Sequence, residues 1–373
     1  MRVVQLGKYY YPYMGGIENH LYVLATELAG KTDLDVVVSN TGPATQRDVV
    51  EGVAVTRCGT VAHLASTSFS PSMPVELSAR KYDVLHLHLP HPMGAASYLA
   101  SRKPKQHRLI VTYHSDVVRQ RLLYAAYAPL VDRVLERADT VIATSPNYLE
   151  TSPVLRRFAH KCVVVPYGID LARYERSEEL AREAQKIRES YAGVPLLLGV
   201  GRLIYYKGFE FAIRALAEVP GARLLLIGDG PLRAALEKKA VEERVADRVT
   251  FLGDVHNHKI APYYLASDVY LLPSIARSEA FGIVQIEALA AGLPVINTSL
   301  PSGVPYVSRH EESGLTVPPE DVGALAAAIR RLLGDAALRR RFGEAGRARA
   351  HADFSKETLA RRLLDLYAGR SIS

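Results

Sequence analysis

The chain has 373 residues, 48% hydrophobic and 23% charged, with 46 Lys and Arg against 39 Asp and Glu for a formal charge of +7. At roughly 150 residues per domain this suits two domains, and the ordinary composition excludes disordered, collagen-like and coiled-coil chains. No stretch reaches the ~18 consecutive apolar residues of a spanning helix. The opening residues MRVVQLGK hold too short an apolar run for a secretory leader, and Cys58 and Cys162 are too few for a disulfide framework. Together these features predict a chain of the reducing cytosol.

Short apolar or β-branched runs predict strands at residues 3–7, 34–39, 53–57, 84–88, 109–113, 140–144 and 161–166. Helical patterns lie between them, as at residues 17–29, where Ile17, Leu21, Leu24 and Leu28 share a face. A charged helical stretch over 171–190 follows, and the pattern restarts with strands at 195–200, 223–227, 249–252, 269–272, 294–297 and 315–317. An amphipathic helix over 353–369, capped by Ser355, closes the chain. Strands alternating with helices imply parallel sheets covered on both faces. The fold class is therefore α/β, two doubly wound Rossmann-like domains: 1–170 with the helix at 355–373, and 171–354. The surplus positive charge leaves nucleic acid, anionic lipid or a phosphorylated small molecule as partners. The longest basic run, Arg339–Arg341, sits in a helical pattern and reads as a solvated face, so nucleic acid is set aside.

Ligands of open α/β sheets bind beyond the carboxyl ends of the strands, and facing domains would make a cleft there. The loop after the first strand, KYYYPYMGGIENH, carries Gly15 and Gly16 at a helix start. It lacks the Gly-x-Gly-x-x-Gly spacing of a dinucleotide site and is either a plain turn or an anion-binding N-terminus. In the second half, GVGRLIYYKGFE places Arg202 and Lys207 on one strand-to-helix loop, either as surface cations or as phosphate ligands. IGDGP follows the next strand, with Gly228 and Gly230 open to the approach of a base. In SEAFGIVQIEALAAG, Phe281, Gly282 and Ile283 are expected at a helix start suited to a diphosphate. Glu279 is placed to accept from sugar hydroxyls and Glu287 from a ribose. Two acidic residues also suggest a glycosidase pair, but the nearby Arg202 and Lys207 speak for a bound anion.

The combination of Gly15–Gly16, the TYHSD segment with His114, GR…KG, GDGP and EAFGIVQIE resembles retaining glycosyltransferases of family 4, from Met1 to about Tyr367. That resemblance implies the GT-B fold, with a final helix returning to the first domain, and a nucleotide-diphospho-sugar donor. It also implies roles: Gly15 and Gly16 near the donor diphosphate, Arg202 and Lys207 on the leaving group, Glu279 on the donor sugar, Glu287 on the ribose. Phe281, Gly282 and Ile283 would offer backbone to phosphate, Gly228 would line the donor pocket, and His114 would lie near the anomeric carbon. Residues 114 onward and INTSLPSGVPYVS look like bacterial mannosyl- or rhamnosyltransferases of surface polysaccharide synthesis. GDP-mannose or GDP-rhamnose is favoured as donor, with UDP-sugars as the alternative. Ser299–Leu300–Pro301 departs from the glycines common in the family.

No metal and no cofactor are expected. Asp33–Leu34–Asp35 matches Asp-x-Asp but precedes an apolar strand and reads as a turn leading into it, while His86, His88 and His91 read as cleft-lining residues. The acceptor is expected to be a saccharide or lipid-linked saccharide. Residues 117–138, with Arg119, Arg121, Arg133, Arg137, Tyr124 and Tyr127, form either a core helix broken at Pro129 or a helix on an anionic membrane surface, joined there by the basic loop at 102–108. A nucleotide-sugar epimerase and a non-catalytic sugar-nucleotide sensor are the rival functions.

Overall fold

Buried alternation along the strands organises the molecule, which a computed structural model describes over residues 1–13, 15–64, 67–116, 121–256 and 259–372, the side chains of 121–126 lying outside that description. It consists of two compact units, Met1–Gly168 with Lys356–Ser373, and Ile169–Ser355.

The strands of the first unit are β1 (Arg2–Leu6), β2 (Asp33–Ser39), β3 (Gln46–Val50), β4 (Val53–Cys58), β5 (Ala62–Leu64), β6 (Thr67–Phe69), β7 (Val84–Leu89), β8 (Arg108–Tyr113), β9 (Thr140–Ala143) and β10 (Cys162–Val164). Eight of them form one sheet in the order β10-β9-β8-β7-β1-β2-β4-β3, parallel except for β3, and β5 pairs with β6. The two unpredicted features share a cause. β3 is an exposed edge strand with a polar sequence, QRDVV, and β5 is exposed throughout, so neither shows the apolar signal of a buried strand.

The sheet is apolar on both faces because helices cover both. Val4, Leu6, Leu85, Leu87, Val111 and Tyr113 pack on one side with Val131, Val134 and Leu135 of the helix Arg121–Arg137. On the other side Val3, Val84 and Ile110 meet Leu21, Leu24 and Leu28 of the helix Gly16–Leu28 and Leu359, Leu363 and Leu366 of the helix Lys356–Tyr367. The final helix is thus part of the first unit's core. Arg108 ties it down by donating from Nη1 to the carbonyls of Leu366 at 3.0 Å and Tyr367 at 3.4 Å, capping its C-terminus. That cation of the 102–108 loop is therefore committed to the fold.

The second unit is a six-stranded parallel sheet of β11 (Leu196–Val200), β12 (Arg223–Ile227), β13 (Val249–Gly253), β14 (Val269–Leu272), β15 (Val295–Thr298) and β16 (Gly314–Val317), in the order β13-β12-β11-β14-β15-β16. Each sheet reverses its winding once, between β1 and β7 in the first unit and between β11 and β14 in the second. Loops leaving these neighbouring strands diverge and open a crevice at the carboxyl edge. That topology selects the loops after β1, β7, β11 and β14.

Two expectations are corrected. Asp33 and Asp35 belong to β2 itself rather than to a turn before it, and Asp35 pairs with Arg80 at 3.4 Å. The helix Arg121–Arg137 runs through Pro129 without breaking. Its Tyr127 is buried, and the Tyr127 hydroxyl accepts from the His91 N–H at 3.1 Å. Arg133 and Arg137 are exposed, as on an ordinary core helix. Arg119 and the side chains of Arg121 and Tyr124 lie outside the described residues. Arg339 donates to the carbonyls of Leu332 and Leu333, closing the preceding helix, while Arg340 and Arg341 are exposed.

Candidate functional site

In the second unit the switch-point loops bring opposite charges together. After β11 the chain turns through Gly201 and Arg202 into a single 3-10 turn, Tyr205–Lys207, and then Gly208 at φ 65° opens the helix Phe209–Ala217. Gly208 is required there: a Cβ would stand 2.0 Å from the Pro273 carbonyl oxygen, so only glycine lets the loops after β11 and β14 touch. The Ile275 N–H donates to the Tyr206 carbonyl at 2.9 Å, and the Tyr205 hydroxyl meets Ser278 Oγ at 3.0 Å. So joined, the loops place Lys207 Nζ 2.6 Å from Glu279 Oε2, with both residues buried, and the Ser274 hydroxyl donates to the same oxygen at 3.2 Å. Burial disfavours the Lys207 ammonium, yet the Glu279 carboxylate outweighs it and holds the lysine above its ordinary value. Arg202 is exposed, and among the described residues its guanidinium has no ion-pair partner.

Glu287 lies in the helix Val284–Ala290 and accepts from the Tyr264 hydroxyl at 2.6 Å. Burial raises its pKa, against the pull of the Tyr264 and Tyr174 hydroxyls and the charges of Arg173 and Lys207. Phe281 is buried, its ring edge-on to Phe354 at 6.1 Å, and Gly282 takes φ 76°. The helix begins at Val284, so Phe281, Gly282 and Ile283 form its entry rather than its first turn. Gln285 and Asn297 fix this entry: the Gln285 amide donates to the carbonyls of Phe281 (3.3 Å) and Val304 (3.2 Å) and accepts from Asn297 Nδ2 at 2.9 Å. The Gly303 N–H donates to the Ala280 carbonyl at 2.7 Å, so Ser299–Leu300–Pro301 belongs to a loop that closes on the Glu279 segment.

Gly228 and Gly230 also admit a neighbouring loop. A Cβ on it would stand 2.3 Å from the Gly201 carbonyl oxygen, and one on Gly230 2.5 Å from that of Leu203. The close approach these glycines permit is by the neighbouring Arg202 loop, which they hold in place.

In the first unit Gly15 caps the helix Gly16–Leu28, and a Cβ on Gly16 would meet nothing within 4 Å. The Glu18 carboxylate folds back over this N-terminus, 2.3 Å from where a Gly15 Cβ would lie. Burial raises the Glu18 pKa, while its own backbone N–H and Lys8 work against the rise. Beside this loop, a cavity of about 460 Å³ is lined by Tyr9, Tyr10, Tyr13, Asn40, Asp48 and Arg57, with the Tyr9 and Tyr13 rings 4.4 Å apart.

His114 follows β8 and is 1% exposed. Its Nδ1 is 2.6 Å from the Tyr167 hydroxyl and its Nε2 is 2.9 Å from His88 Nδ1. With both ring nitrogens engaged, His114 is no free acid or base. His86 and His88 are likewise buried within a hydrogen-bonded cluster instead of lining an open surface. His91, after β7, is 2% exposed and neither ring nitrogen has a hydrogen-bond partner among the described residues. Among the described residues, His20, His88 and His114 come close enough to share a metal ion. No carboxylate joins them to balance its charge, and His88 and His114 already bond each other.

The sequence pattern described as Glycosyltransferase Family 4 matches residues 14–173, and that described as Glycosyl transferases group 1 matches residues 181–349. The chain is 31% identical to O-antigen chain mannosyltransferase C of Escherichia coli, over 98% of each chain. It is 35% identical to the D-rhamnosyltransferase WbpZ of Pseudomonas aeruginosa, over 88% of this chain and 86% of that one. A GDP-mannose-dependent alpha-(1-6)-phosphatidylinositol monomannoside mannosyltransferase of Mycobacterium tuberculosis is 29% identical over 99% and 98%. Among solved structures, the sucrose-phosphate synthase of Thermosynechococcus elongatus is similar with a TM-score of 0.83 at 27% identity, over 99% of this chain and 98% of that one.

The buried histidines make the first unit sensitive to acid. Burial pushes His20, His86 and His91 down to about 3, and pushes His88 and His114 well below 6.5, neighbouring imidazoles adding to the effect on His86, His88 and His114. Between those values and 6.5 the unfolded chain holds the extra protons, so stability is full above pH 6.5 and falls as pH drops. Each histidine that stays neutral in the fold then removes about 1.4 kcal/mol per pH unit, so together they remove a large share of a domain's stability. Glu18, shifted upward, offsets a small part. Circular dichroism against pH should show the first unit unfolding between about pH 5 and 6; a fold intact at pH 4 contradicts the reading.

Proposed function

This chain belongs to glycosyltransferase family 4 and has the GT-B fold, and we propose that it moves a hexose, mannose or rhamnose, from a GDP-linked donor to a saccharide or lipid-linked saccharide acceptor of surface polysaccharide, with retention of configuration. The observation that carries this reading is the Lys207–Glu279 pair at the switch point of the second sheet, with the exposed Arg202 on the same loop. A diphosphate reaching Lys207 competes for its ammonium and frees the Glu279 carboxylate to accept from sugar hydroxyls. Arg202 and Lys207 then neutralise the charge that grows on the leaving diphosphate as the anomeric bond breaks. The acceptor oxygen bonds to the anomeric carbon on the same face, and its proton passes to the departing phosphate, so no protein base and no metal are needed.

Glu287 is assigned to the ribose, and its tyrosine hydroxyl partner aims the carboxylate. Phe281, Gly282 and Ile283 offer backbone to phosphate, and Gly228 holds the Arg202 loop against the donor. In the first unit Gly15 and Gly16 are assigned to the diphosphate side of the site, where the open space at Gly16 permits approach and Glu18 must yield. His114 is assigned to the wall beside the anomeric carbon, without acid–base duty. The GDP donor rests on the mycobacterial relative, and the sugar on the mannosyl- and rhamnosyltransferases.

A thermal-shift panel of GDP-, UDP-, ADP- and dTDP-sugars should single out GDP-mannose or GDP-rhamnose, since a ligand of the folded state raises its midpoint. A larger shift with a UDP-sugar replaces the donor assignment, and interconversion of donor without acceptor identifies an epimerase. Arg202→Ala, at an exposed position, should lower kcat/KM by about 100-fold while the unfolding midpoint stays within a few degrees. An unchanged rate removes Arg202 from the site.

For the acceptor we assign the cavity beside Tyr9 and Tyr13, whose rings suit the apolar face of a sugar and whose Asn40, Asp48 and Arg57 suit its hydroxyls. Tyr13→Ala should raise the acceptor KM about tenfold with donor binding unaltered; an equal KM places the acceptor elsewhere.

The cytoplasmic enzyme is proposed to meet a lipid-linked acceptor at the inner membrane face by charge alone. No helix among the described residues is long and apolar enough to cross a membrane, and the helix carrying Arg133 and Arg137 buries Val131, Val134 and Leu135 in the core of the first unit. Co-sedimentation with anionic vesicles should therefore occur at low salt and vanish by about 0.5 M, where the screening length is only a few ångströms. Salt-insensitive binding would point to insertion instead, and no binding at low salt ends the idea.

A further inference from the structure

Strand alternation places Gln5 of β1, His86 and His88 of β7, Thr112 of β8 and His114 just beyond β8 on the sheet face that the helices Gly16–Leu28 and Lys356–Tyr367 cover. Gln5 stands opposite His86 in the register, and His88 opposite Thr112. All are buried, so each polar atom needs a protein partner.

Their hydrogen bonds form one directed chain. The Tyr167 hydroxyl donates to His114 Nδ1 at 2.6 Å, His114 Nε2–H to His88 Nδ1 at 2.9 Å, and His88 Nε2–H to Gln5 Oε1 at 2.8 Å. Gln5 Nε2–H donates to the Tyr367 hydroxyl oxygen at 2.7 Å, that hydroxyl donates to His86 Nδ1 at 2.7 Å, and His86 Nε2–H to Thr112 Oγ1 at 2.7 Å. A neutral imidazole carries one ring proton, so the tautomer of each ring dictates that of the next. The Gln5 amide sets the direction, because its NH₂ faces Tyr367 and its oxygen faces His88. Reversing the links from His88 to His114 and Tyr167 requires rotating that amide and moving each of their protons.

The tyrosines of this chain occupy special places in the sequence. Tyr167 immediately precedes the point where the polypeptide leaves the first unit, after Gly168, and Tyr367 ends the helix formed after it returns at Lys356. We propose that Tyr167 and Tyr367 are positioning residues for glycosyl transfer, which hold His88 and His114 in one tautomer and one ring orientation through this relay. Tyr367 touches neither of those two rings by hydrogen bond; it acts on them through Gln5. The proposal rests on the assignment of His114 to the wall of the site. It ties the geometry of that wall to the docking of the last helix. Removing the Tyr367 hydroxyl strips the Gln5 amide of the partner that orients it and leaves His86 Nδ1 without a donor. Both amide orientations then become available, and the two tautomers of His88 and His114 mix.

The test is long-range ¹H–¹⁵N correlation on protein labelled at histidine, at pH 7.5, joined to steady-state kinetics. The wild type should show His88 and His114 each protonated at Nε2 alone. Tyr367→Phe should give both rings averaged or doubled nitrogen shifts and lower kcat about tenfold with the donor KM unchanged. Leu363→Ala loosens the same helix, removing a side chain only 1% exposed, but keeps the hydroxyl; its tautomers and kcat should match wild type. Should Tyr367→Phe fail to fold, Gln5→Leu removes the amide that sets the direction, with the same mixing expected. Wild-type tautomers in these variants overturn the relay, and altered tautomers with an unchanged kcat overturn its positioning role. Tautomers need no substrate, so a relay intact in a protein that transfers sugar from no nucleotide donor overturns the functional reading, and the positioning role with it, but not the relay.

Discussion

A parallel sheet covered on both faces has no water to offer a polar side chain, and this constraint governs both halves of the molecule. Gln5, His86, His88 and Thr112 sit within strands whose neighbours are Val, Leu and Ile, where an unpartnered amide or imidazole costs about 1–3 kcal/mol. They are tolerable because register aligns them with one another and the final helix supplies Tyr367. The apolar docking of Leu359, Leu363 and Leu366 brings that hydroxyl to its place. Packing and polar satisfaction therefore meet in one helix, whose leucines give it its place and whose Tyr367 supplies the hydroxyl.

The second unit meets the same constraint with charge. Lys207 and Glu279 are buried at the edge where ligands enter, and a buried ion pair recovers its desolvation only when geometry is close and further hydrogen bonds assist. Gly208 supplies the closeness by letting two loops touch, and Ser274 supplies a further hydrogen bond. Such a pair does little for net stability but presents two charges already stripped of water, one of each sign. An anion that displaces Glu279 from Lys207 inherits a desolvated cation without removing its water first, the condition under which electrostatic stabilisation of a leaving group is strongest. Exposed Arg202 has no such history. It is free to reach outward, and the two cations are complementary rather than redundant.

Much of this was legible in the sequence, and the remainder was hidden for identifiable reasons. Apolar runs in buried parallel strands are strong signals, so every predicted strand has its counterpart, whereas β3, an exposed edge with a polar start, and β5, three exposed residues, carry none. Arg202, Lys207 and Glu279 could be placed because strand-to-helix loops are readable and their chemistry is distinctive. The partners could not: that Lys207 meets Glu279, that Tyr264 meets Glu287, and that Gln285 and Asn297 lock the entry of the helix at Val284 depend on loop contacts with no sequence period. The spacing in VLHLHL put His86 and His88 on one face correctly. It did not say that face was covered, because the covering residue is 281 positions away from His86.

That separation also bears on how the first unit is completed. Its sheet is finished by residue 164, yet one face is covered only in part, by the helix Gly16–Leu28, and Gln5 Nε2 and His86 Nδ1 lack their Tyr367 partner until a helix made after the whole second unit returns. Long-range closures of this kind are slow relative to local ones, because the chain entropy of the loop must be lost before the contacts reward it. The second unit reduces that loss by folding between the two crossings, replacing a flexible loop of 187 residues (169 to 355) with a body whose termini lie side by side, as the backbone bond from the Ile169 N–H to the Phe354 carbonyl at 2.9 Å shows. The second unit thus acts as the turn of an enormous hairpin. Its own fold delivers the strand-like exit at Ile169 and the helix start at Lys356 to adjacent positions, so Tyr167 and Tyr367 begin their approach to the histidines from a common origin. In this chain the residues that finish the first unit's core are delivered by the fold of the second.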